Sequence, residues 1–291
     1  MDVLVTGAGG FSGSHLVPAL LARGHKVIAV TGRTRGRLEP DLDGNASLTV
    51  VAGDLSRPLH FPGRVDAVVH AAARSPARGV SNADLVRDNS LATKRLIDYA
   101  REAQAKTFIY LSSLSIYGDI TGPVVDEETP IANPDEYGVT KYAGETMLRE
   151  TPLRSLSIRL PGVIGPRSVR NWLTSVMEAA KSGRAIAIYN PQQPFNNAIH
   201  INDLCELTAG VLAADEWSGH DAVTVGAAGM TKVRRAVEIL IQAFRSASLI
   251  EVKPAQKGAF TISSERACRR YGYRPMDIEK MLVRFAAENK D

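Results

Sequence analysis

The chain has 291 residues and a nearly balanced charge, with 35 Lys and Arg against 31 Asp and Glu and a formal net charge of +4. This small excess is spread along the chain, so we expect no nucleic-acid partner. Cys205 and Cys268 are the only cysteines and lack metal-type spacing, which predicts buried thiols and no metal site. No run of about 18 apolar residues or basic leader occurs, so we expect no membrane contact and a cytoplasmic location.

The first predicted elements are a strand at residues 2–6, a glycine-rich turn and a helix. Gly7 allows a tight turn, Gly10 lets the backbone approach a pyrophosphate, and Gly13 lets helix and strand pack closely. The strand, turn and helix together predict dinucleotide binding, because free N–H groups at the helix start face the anion. The residues assigned to the cofactor here are Gly7, Gly10, Phe11, Ser12 and Gly13.

The end of the second predicted strand, residues 26–31, distinguishes the two nicotinamide cofactors. A carboxylate at this position would accept hydrogen bonds from the adenosine ribose of NAD. The chain instead reads Thr31-Gly32-Arg33, and an arginine can bind the 2′-phosphate of NADP. Arg33 therefore predicts NADP rather than NAD, against the alternative that it is a solvated surface charge.

Further strands are predicted at residues 48–51, 66–70 and 107–111, with a long helix at 84–103 before the last of them. This alternation predicts an α/β fold with a Rossmann-type, doubly wound parallel sheet. The strand at 66–70 ends in three alanines, 71–73, whose small side chains would let a cofactor lie close to the strand.

Hydroxyl groups follow the strand at 107–111, where Ser112, Ser113 and Ser115 lie at the edge at which parallel sheets bind ligands. Downstream, Tyr137 and Lys141 are four residues apart, a spacing that places both side chains on one face of a helix. A neighbouring ammonium can lower the pKa of a phenol from its usual value of about 10, so we expect Lys141 to do this for Tyr137.

Beyond residue 165 the regular alternation loosens, although helices are predicted at 171–182, 232–244 and 277–287. We predict an NAD(P)-binding domain at residues 1–165, to which 196–215 return, and a smaller C-terminal substrate-binding lobe. The lobe is predicted to comprise residues 166–195 and 216–291.

The glycine spacing, Asp54, the segment from Ser112 to Gly118, and the Tyr137–Lys141 pair resemble the extended short-chain dehydrogenases, or NAD-dependent epimerase/dehydratase family. The resemblance covers nearly the whole chain and implies a hydride-transferring enzyme. It implies a catalytic triad of Ser113, Tyr137 and Lys141. The further cofactor contacts predicted on this basis are Asp54, Leu55, Ala71, Ala72, Ala73, Tyr137, Lys141, Pro161 and Val163.

Most extended members act on nucleotide sugars, and the resemblance implies such a substrate. Ser113, Asn171 and Asn196 are the predicted substrate contacts. Two departures occur: Gly162 stands where many such enzymes have an Asn, and Asn196 where many have a pyrophosphate-binding Arg. The resemblance also implies a homodimer formed by the helices at 84–103 and 135–150.

The type of reaction is predicted from what the active segment lacks. Ser113-Leu114-Ser115 has no Asp-Glu pair of the kind that dehydratases use to eliminate water, so dehydration is disfavoured. With Arg33, the sequence favours an NADPH-dependent ketoreductase acting on a nucleotide sugar. The alternatives are a nucleotide-sugar C4 epimerase, a reductase of a small carbonyl compound, and a non-catalytic NADPH-sensing protein.

Overall fold

The computed structural model describes residues 1–32, 34–58, 60–214, 217–255 and 257–290. Its strands, in chain order, are β1 Asp2–Thr6, β2 Lys26–Thr31, β3 Leu48–Ala52, β4 Ala67–His70, β5 Thr107–Ser113, β6 Val124–Val125, β7 Arg154–Leu160, β8 Gly162–Ile164, β9 Ile186–Ile188, β10 Pro194–Phe195, β11 Ala198–His200, β12 His220–Thr224, β13 Thr231–Lys232, β14 Ile250–Val252 and β15 Thr261–Ile262.

The α-helices are α1 Phe11–Leu21, α2 Asn82–Leu85, α3 Ala92–Glu102, α4 Glu136–Arg149, α5 Trp172–Lys181, α6 Ile201–Ala213, α7 Val233–Ala243, α8 Glu265–Tyr271 and α9 Ile278–Ala287. A π-helical turn, Val86–Leu91, joins α2 to α3, and 3₁₀ turns occur at Pro40–Leu42 and Leu114–Tyr117. The helix predicted at residues 84–103 is therefore interrupted, because its register shifts by one residue within the π turn.

The chain forms two compact units. Unit 1 comprises residues 1–119, 131–159 and 208–223, and unit 2 comprises 120–130, 160–207 and 224–291. These bounds differ from the predicted domains, and the assignment of cofactor and substrate roles to separate domains stays a prediction.

Unit 1 is built on a seven-stranded sheet with the order β12-β7-β5-β4-β1-β2-β3 within the described residues. The strand pairs around β1, and those joining β2 to β3 and β4 to β5, are parallel. Leu4, Val68 and Phe108 lie in a fully buried cluster into which Leu96 of α3 and Leu148 of α4 also pack. This is the predicted Rossmann-type sheet, and it aligns the carboxyl ends of β1, β4 and β5 along one edge.

Unit 2 has its own core and only short strand pairs. β8 pairs with β11, β9 with β14 and β6 with β15 in parallel, whereas β10 and β13 are antiparallel. Helices α5, α7 and α9 supply buried side chains such as Met177, Leu240 and Phe285. The C-terminal segments predicted to be less regular therefore form a separately packed body.

Candidate active site

The glycine turn between β1 and α1 is closed by contacts that leave no room for a side chain. Gly7 has φ +67°, and a Cβ there would lie 2.7 Å from the Cα of Ala72. A Cβ on Gly13 would lie 2.1 Å from the carbonyl oxygen of Gly7. Gly10 precedes α1 without a side-chain cap from any described residue, so the first N–H groups of the helix, at Phe11, Ser12 and Gly13, suit an anion.

A cavity of about 980 Å³ opens at the carboxyl edge of the unit 1 sheet. It is bounded by the ends of β1 to β4 and by the π turn. Its lining residues are Gly7, Gly10, Gly32, Thr34, Ala52, Gly53, Asp54, Leu55, Ser56, Arg57, Ala71, Ala72, Ala73, Arg74, Arg87, Asp88 and Ala92. Small residues and an uncapped helix start give this cavity the character that a dinucleotide requires, so the residues present fit the predicted cofactor.

The predicted cofactor residues are distributed unevenly around this cavity. Arg33 lies outside the described residues, between Gly32 and Thr34 of the lining. Pro161 and Val163 belong to unit 2, where the carbonyl oxygen of Val163 accepts a hydrogen bond from Asn171. Their roles at the cofactor stay predictions.

Asp54 lies in the cavity wall and closes a turn with Ser56. Its Oδ1 accepts hydrogen bonds from the Ser56 backbone N–H at 2.9 Å and hydroxyl at 2.7 Å. These bonds hold the pKa of the Asp54 carboxyl below its usual value. The other carboxylate oxygen lies 3.5 Å from Nε of Arg57, so Asp54 presents a fixed anion at the exposed end of the cavity.

The predicted catalytic helix starts at a capped end. Oδ1 of Asp135 accepts a hydrogen bond from the Gly138 N–H at 2.7 Å, which fixes the first turn of α4 around Tyr137. A Cβ on Gly138 would lie 2.2 Å from the carbonyl oxygen of Ser115. The absence of a side chain at Gly138 therefore brings α4 against the segment that follows Ser113.

Ser113 is the last residue of β5 rather than part of a loop, and its Oγ caps the following 3₁₀ turn by accepting from the Ser115 N–H at 3.1 Å. Lys141 is 2% exposed, and its Nζ donates to the carbonyl oxygen of Leu111 at 2.7 Å. The same nitrogen lies 5.9 Å from the ring centroid of Tyr137. Lys141 thus lies near Tyr137 and bonds to the strand that ends two residues later at Ser113.

The pKa of Tyr137 is raised in this structure, not lowered as the sequence predicts. Burial raises the pKa of Tyr137 to about 12, with a further contribution from the Asp135 carboxylate. Burial also lowers the pKa of Lys141 to about 7, partly opposed by Glu145. Desolvation disfavours the charged form of both groups and is the largest cause of both shifts, so Tyr137 is a protonated phenol at neutral pH.

Asn89 connects the cavity to the predicted catalytic helix. It lies in the π turn and is buried. Its Oδ1 accepts from the Arg74 N–H at 2.7 Å, and its Nδ2 donates to Oγ1 of Thr140 at 3.1 Å. Because Arg74 lines the cavity and Thr140 precedes Lys141, Asn89 couples the cavity wall to the catalytic helix.

His70 lies below the same site and is fully hydrogen-bonded. Its Nδ1 is 2.7 Å from Oγ1 of Thr6, and its Nε2 is 2.8 Å from Oγ1 of Thr93. Burial, assisted by the nearby Lys141 charge, lowers the pKa of His70 to about 3. A neutral imidazole with both nitrogens hydrogen-bonded has a packing role.

The sequence reasoning missed a buried ion pair beneath the triad, between Glu145 of α4 and Arg159 of β7. Nη2 of Arg159 is 2.8 Å from Oε2 of Glu145, and the two side chains are 6% and 0% exposed. The signal was present in the sequence, because Tyr137, Lys141 and Glu145 recur at intervals of four residues and therefore share a helix face.

In unit 2, the two predicted substrate asparagines have their amides engaged by the backbone. Asn171 caps α5 by accepting from the Thr174 N–H at 2.9 Å, and donates to the carbonyl oxygen of Val163 at 3.1 Å. Asn196 is 5% exposed, donates to the carbonyl oxygen of Ile262 at 2.9 Å and accepts from its N–H at 2.8 Å. Both asparagine side chains therefore stabilise the local backbone, a role that their sequence positions alone did not reveal.

Among the described residues, no three His, Cys, Asp or Glu side chains cluster in a way that could hold a metal ion. In the same part of the chain, every helix is too short or too polar to cross a lipid bilayer.

The chain is similar in sequence to several known proteins. A UDP-glucose 4-epimerase of Erwinia amylovora is 27% identical over an alignment of 305 residues, covering 89% of this chain and 87% of the relative. A D-erythronate dehydrogenase of Cupriavidus necator is 32% identical over 179 residues, which cover 56% of this chain and 55% of the relative.

A solved structure of UDP-glucuronic acid 4-epimerase from Bacillus cereus, in complex with UDP-glucuronic acid and NAD, shares the fold. Its TM-score is 0.82 at 22% identity, with 99% of this chain and 98% of that chain covered. The sequence also matches the family described as "NAD dependent epimerase/dehydratase family" over residues 3–226. With its glycine turn and Tyr137–Lys141 pair, the chain belongs to this family and is an enzyme of the extended short-chain dehydrogenase/reductase type.

Proposed function

We propose that the enzyme is an NADPH-dependent ketoreductase that reduces a carbonyl group on a nucleotide sugar. The observation that carries this proposal is the grouping of Ser113, Tyr137 and Lys141 in unit 1, connected through Asn89 to the wall of the cofactor-sized cavity. A nicotinamide bound there supplies a hydride from its C4. The protein's own groups bind and protonate the substrate oxygen.

The protonation state of Tyr137 is compatible with reduction. Its pKa of about 12 keeps the phenol protonated at neutral pH, which is the form that donates a proton to a carbonyl oxygen. The Ser113 hydroxyl would donate a hydrogen bond to the same oxygen. The Lys141 ammonium would stabilise the tyrosinate left after proton transfer, because an opposite charge nearby favours the ionised phenol.

The choice of NADP rests on the end of β2. Thr31, Gly32, Arg33 and Thr34 offer no carboxylate to an adenosine ribose, and Gly32 and Thr34 line the cavity. The family description names NAD, so this preference is specific to the chain and needs its own test. Replacing Arg33 with Ala should weaken NADPH binding about tenfold or more and leave NADH binding unchanged, since a charge-assisted bond contributes about 1.5–3 kcal/mol.

A small carbonyl compound is a second candidate substrate, and a specific observation favours it. The amides of Asn171 and Asn196 are engaged by backbone atoms, which leaves the diphosphate of a nucleotide sugar without these two partners. The relative from Cupriavidus necator is called a D-erythronate dehydrogenase. The nucleotide sugar remains our first choice because relatives covering more of the chain are called UDP-glucose 4-epimerases.

The decisive experiment follows NADPH absorbance with two panels, nucleoside-diphosphate keto sugars and small keto acids or aldehydes. We expect NADPH oxidation with at least one nucleotide-linked sugar, and oxidation at least about a hundredfold slower when Tyr137 is replaced by Phe. Turnover only with the small compounds would select the second candidate. Interconversion of a sugar with no net NADPH oxidation would identify a C4 epimerase.

We also propose that the protein is a cytoplasmic homodimer. Light scattering would determine the number of subunits.

A further inference from the structure

Glu145 is a fully buried carboxylate one helical turn beyond Lys141, in the interior of unit 1. A carboxylate in such a place is costly unless it is paired and hydrogen-bonded. Here, both conditions are met. Nε of Arg159 lies 3.2 Å from each carboxylate oxygen, Nη2 lies 2.8 Å from Oε2, and the Ser112 hydroxyl donates to Oε1 at 2.6 Å.

These contacts join the elements that carry the predicted catalytic residues. Ser112 precedes Ser113 at the end of β5, and Arg159 donates from Nη1 to the Tyr117 hydroxyl at 2.8 Å, at the end of the 3₁₀ turn. Glu145 itself is in α4, with Tyr137 and Lys141. The carboxylate is therefore held in one orientation from three elements, so its charge has a fixed position relative to Lys141.

Stability alone gives a weak reason for such a pair. Replacing a buried ion pair by apolar side chains of similar volume is often neutral or stabilising, because desolvation offsets the attraction. The neighbour that needs an anion is Lys141, whose ammonium is 2% exposed and has a carbonyl oxygen and aromatic rings around it. Among the groups acting on its pKa, Glu145 is the one that favours the charged form.

The other ionisable groups around Lys141 and Glu145 do not supply a negative charge that could replace that of Glu145. His70 is kept neutral, and Tyr110 is a buried phenol whose pKa is raised well above its usual value. The groups that face Lys141 are Tyr137 and Glu145 from α4, Tyr110 from β5 and His70 from β4. The groups that face Glu145 are Lys141, Tyr110, Arg159 from β7, His220 from β12 and Ser112 from β5.

We propose that Glu145, oriented by Arg159 and Ser112, is a positioning residue that favours the charged form of the buried Lys141 amine, so that part of it stays protonated at neutral pH. The inference rests on the proposed function, because the charge on Lys141 matters to catalysis only if the triad reduces a substrate. Its physical content is independent of any substrate. Without the carboxylate, burial lowers the pKa of Lys141 with no anion to oppose it, and the side chain becomes a neutral amine.

The test titrates Lys141 directly, by NMR of protein isotope-labelled at the lysine ε-carbons. Lys141→Met identifies the resonance by its loss. Glu145→Gln retains an oxygen that can accept from Ser112 and removes the charge. Glu150→Gln is the matched control, because Glu150 is exposed at the end of the same helix. The double variant Glu145→Gln, Arg159→Met removes both charges and covers the case in which an unpaired Arg159 prevents folding.

In the wild type we expect a midpoint near 7. Glu145→Gln, or the double variant, should lower the midpoint by about one pH unit or more, as expected for loss of a close opposite charge. Glu150→Gln should leave it unchanged. A wild-type midpoint in the folded Glu145 variants would overturn the proposal. A lowered midpoint together with unchanged turnover in Tyr137→Phe would instead retain the electrostatic role and reject the proposed function.

Discussion

The two compact units use polar side chains in different ways. In unit 1, residues predicted from motif spacing line a cavity or share one face of helix α4. In unit 2, the predicted substrate residues Asn171 and Asn196 have their amides bonded to the backbone. A motif that depends on backbone geometry therefore identifies a site better than a single residue type at an equivalent position.

The largest effect expected from this contrast is on catalysis in unit 1. Tyr137→Phe removes the proton donor and should lower kcat by about 10²–10⁴-fold, the usual contribution of a positioned acid. NADPH affinity should change little, because the ring is retained. Tyr142→Phe, on the same helix but away from the shared face of Tyr137 and Lys141, is the matched control and should keep full turnover. Retained kcat in Tyr137→Phe would remove the catalytic role.

A second large effect is expected at the glycine turn. Gly13→Ala places a Cβ 2.1 Å from the Gly7 carbonyl oxygen, so the turn must move. Overpacking of this kind costs about 1–3 kcal/mol, and the displaced N–H groups should no longer bind a pyrophosphate. Isothermal titration with NADPH should show lost binding. The control is Gly258→Ala, at a position with open space around the added carbon. Unchanged NADPH affinity in Gly13→Ala would contradict the cofactor assignment.

A third effect is a pH dependence of stability that originates at Lys141. Its pKa falls from 10.5 in the unfolded chain to about 7 in the folded protein, so between these values the unfolded state binds more protons. The contribution of Lys141 to the free energy of unfolding therefore rises with pH across this window. Below pH 7 the folded protein carries the whole cost of burying the charged amine.

Urea unfolding of wild type and Lys141→Met at pH values on both sides of this window isolates that contribution. Wild type should gain stability relative to the variant as pH rises, by no more than a few kcal/mol, since one pKa unit is about 1.4 kcal/mol. A difference that stays constant with pH would show that the Lys141 amine is not desolvated.

The smallest effect is expected in unit 2. Asn171→Ala removes the N-cap of α5 and should cost about 1 kcal/mol in the free energy of unfolding, whereas Asn171→Ser retains a cap and most of that stability. Neither change should alter KM for a nucleotide sugar, because KM does not depend on the amount of folded enzyme. A raised KM in the fully folded Asn171→Ser variant would restore Asn171 as a substrate contact and remove the contrast between the units.

The sequence was sufficient for those parts of the fold set by local backbone rules. β1 and β2 have the predicted bounds, because buried apolar runs end at Gly7 and Gly32. The π turn at Val86–Leu91 was missed, since a one-residue shift in register leaves the apolar pattern helical. β12 was missed because His220–Thr224 is short and begins with two polar residues.

The same division applies to the site. The spacing of Tyr137 and Lys141 predicted their shared helix face, whereas their pKa directions required knowledge of burial. The Glu145–Arg159 pair joins residues from α4 and β7, a tertiary contact that neither segment shows alone. The amide bonds of Asn196 likewise depend on Ile262, which is distant in the chain.

The central claim is that Tyr137 and a nicotinamide reduce a substrate carbonyl, and labelled hydride tests it most directly. NADPH carrying deuterium in both C4 positions is incubated with the protein and the nucleotide-linked keto sugars, and the products are examined by mass spectrometry. We predict deuterium on the carbinol carbon of the product with stoichiometric NADP⁺, formed at least about a hundredfold more slowly with Tyr137→Phe. An unlabelled product, or labelled product formed equally fast with Tyr137→Phe, would contradict the account.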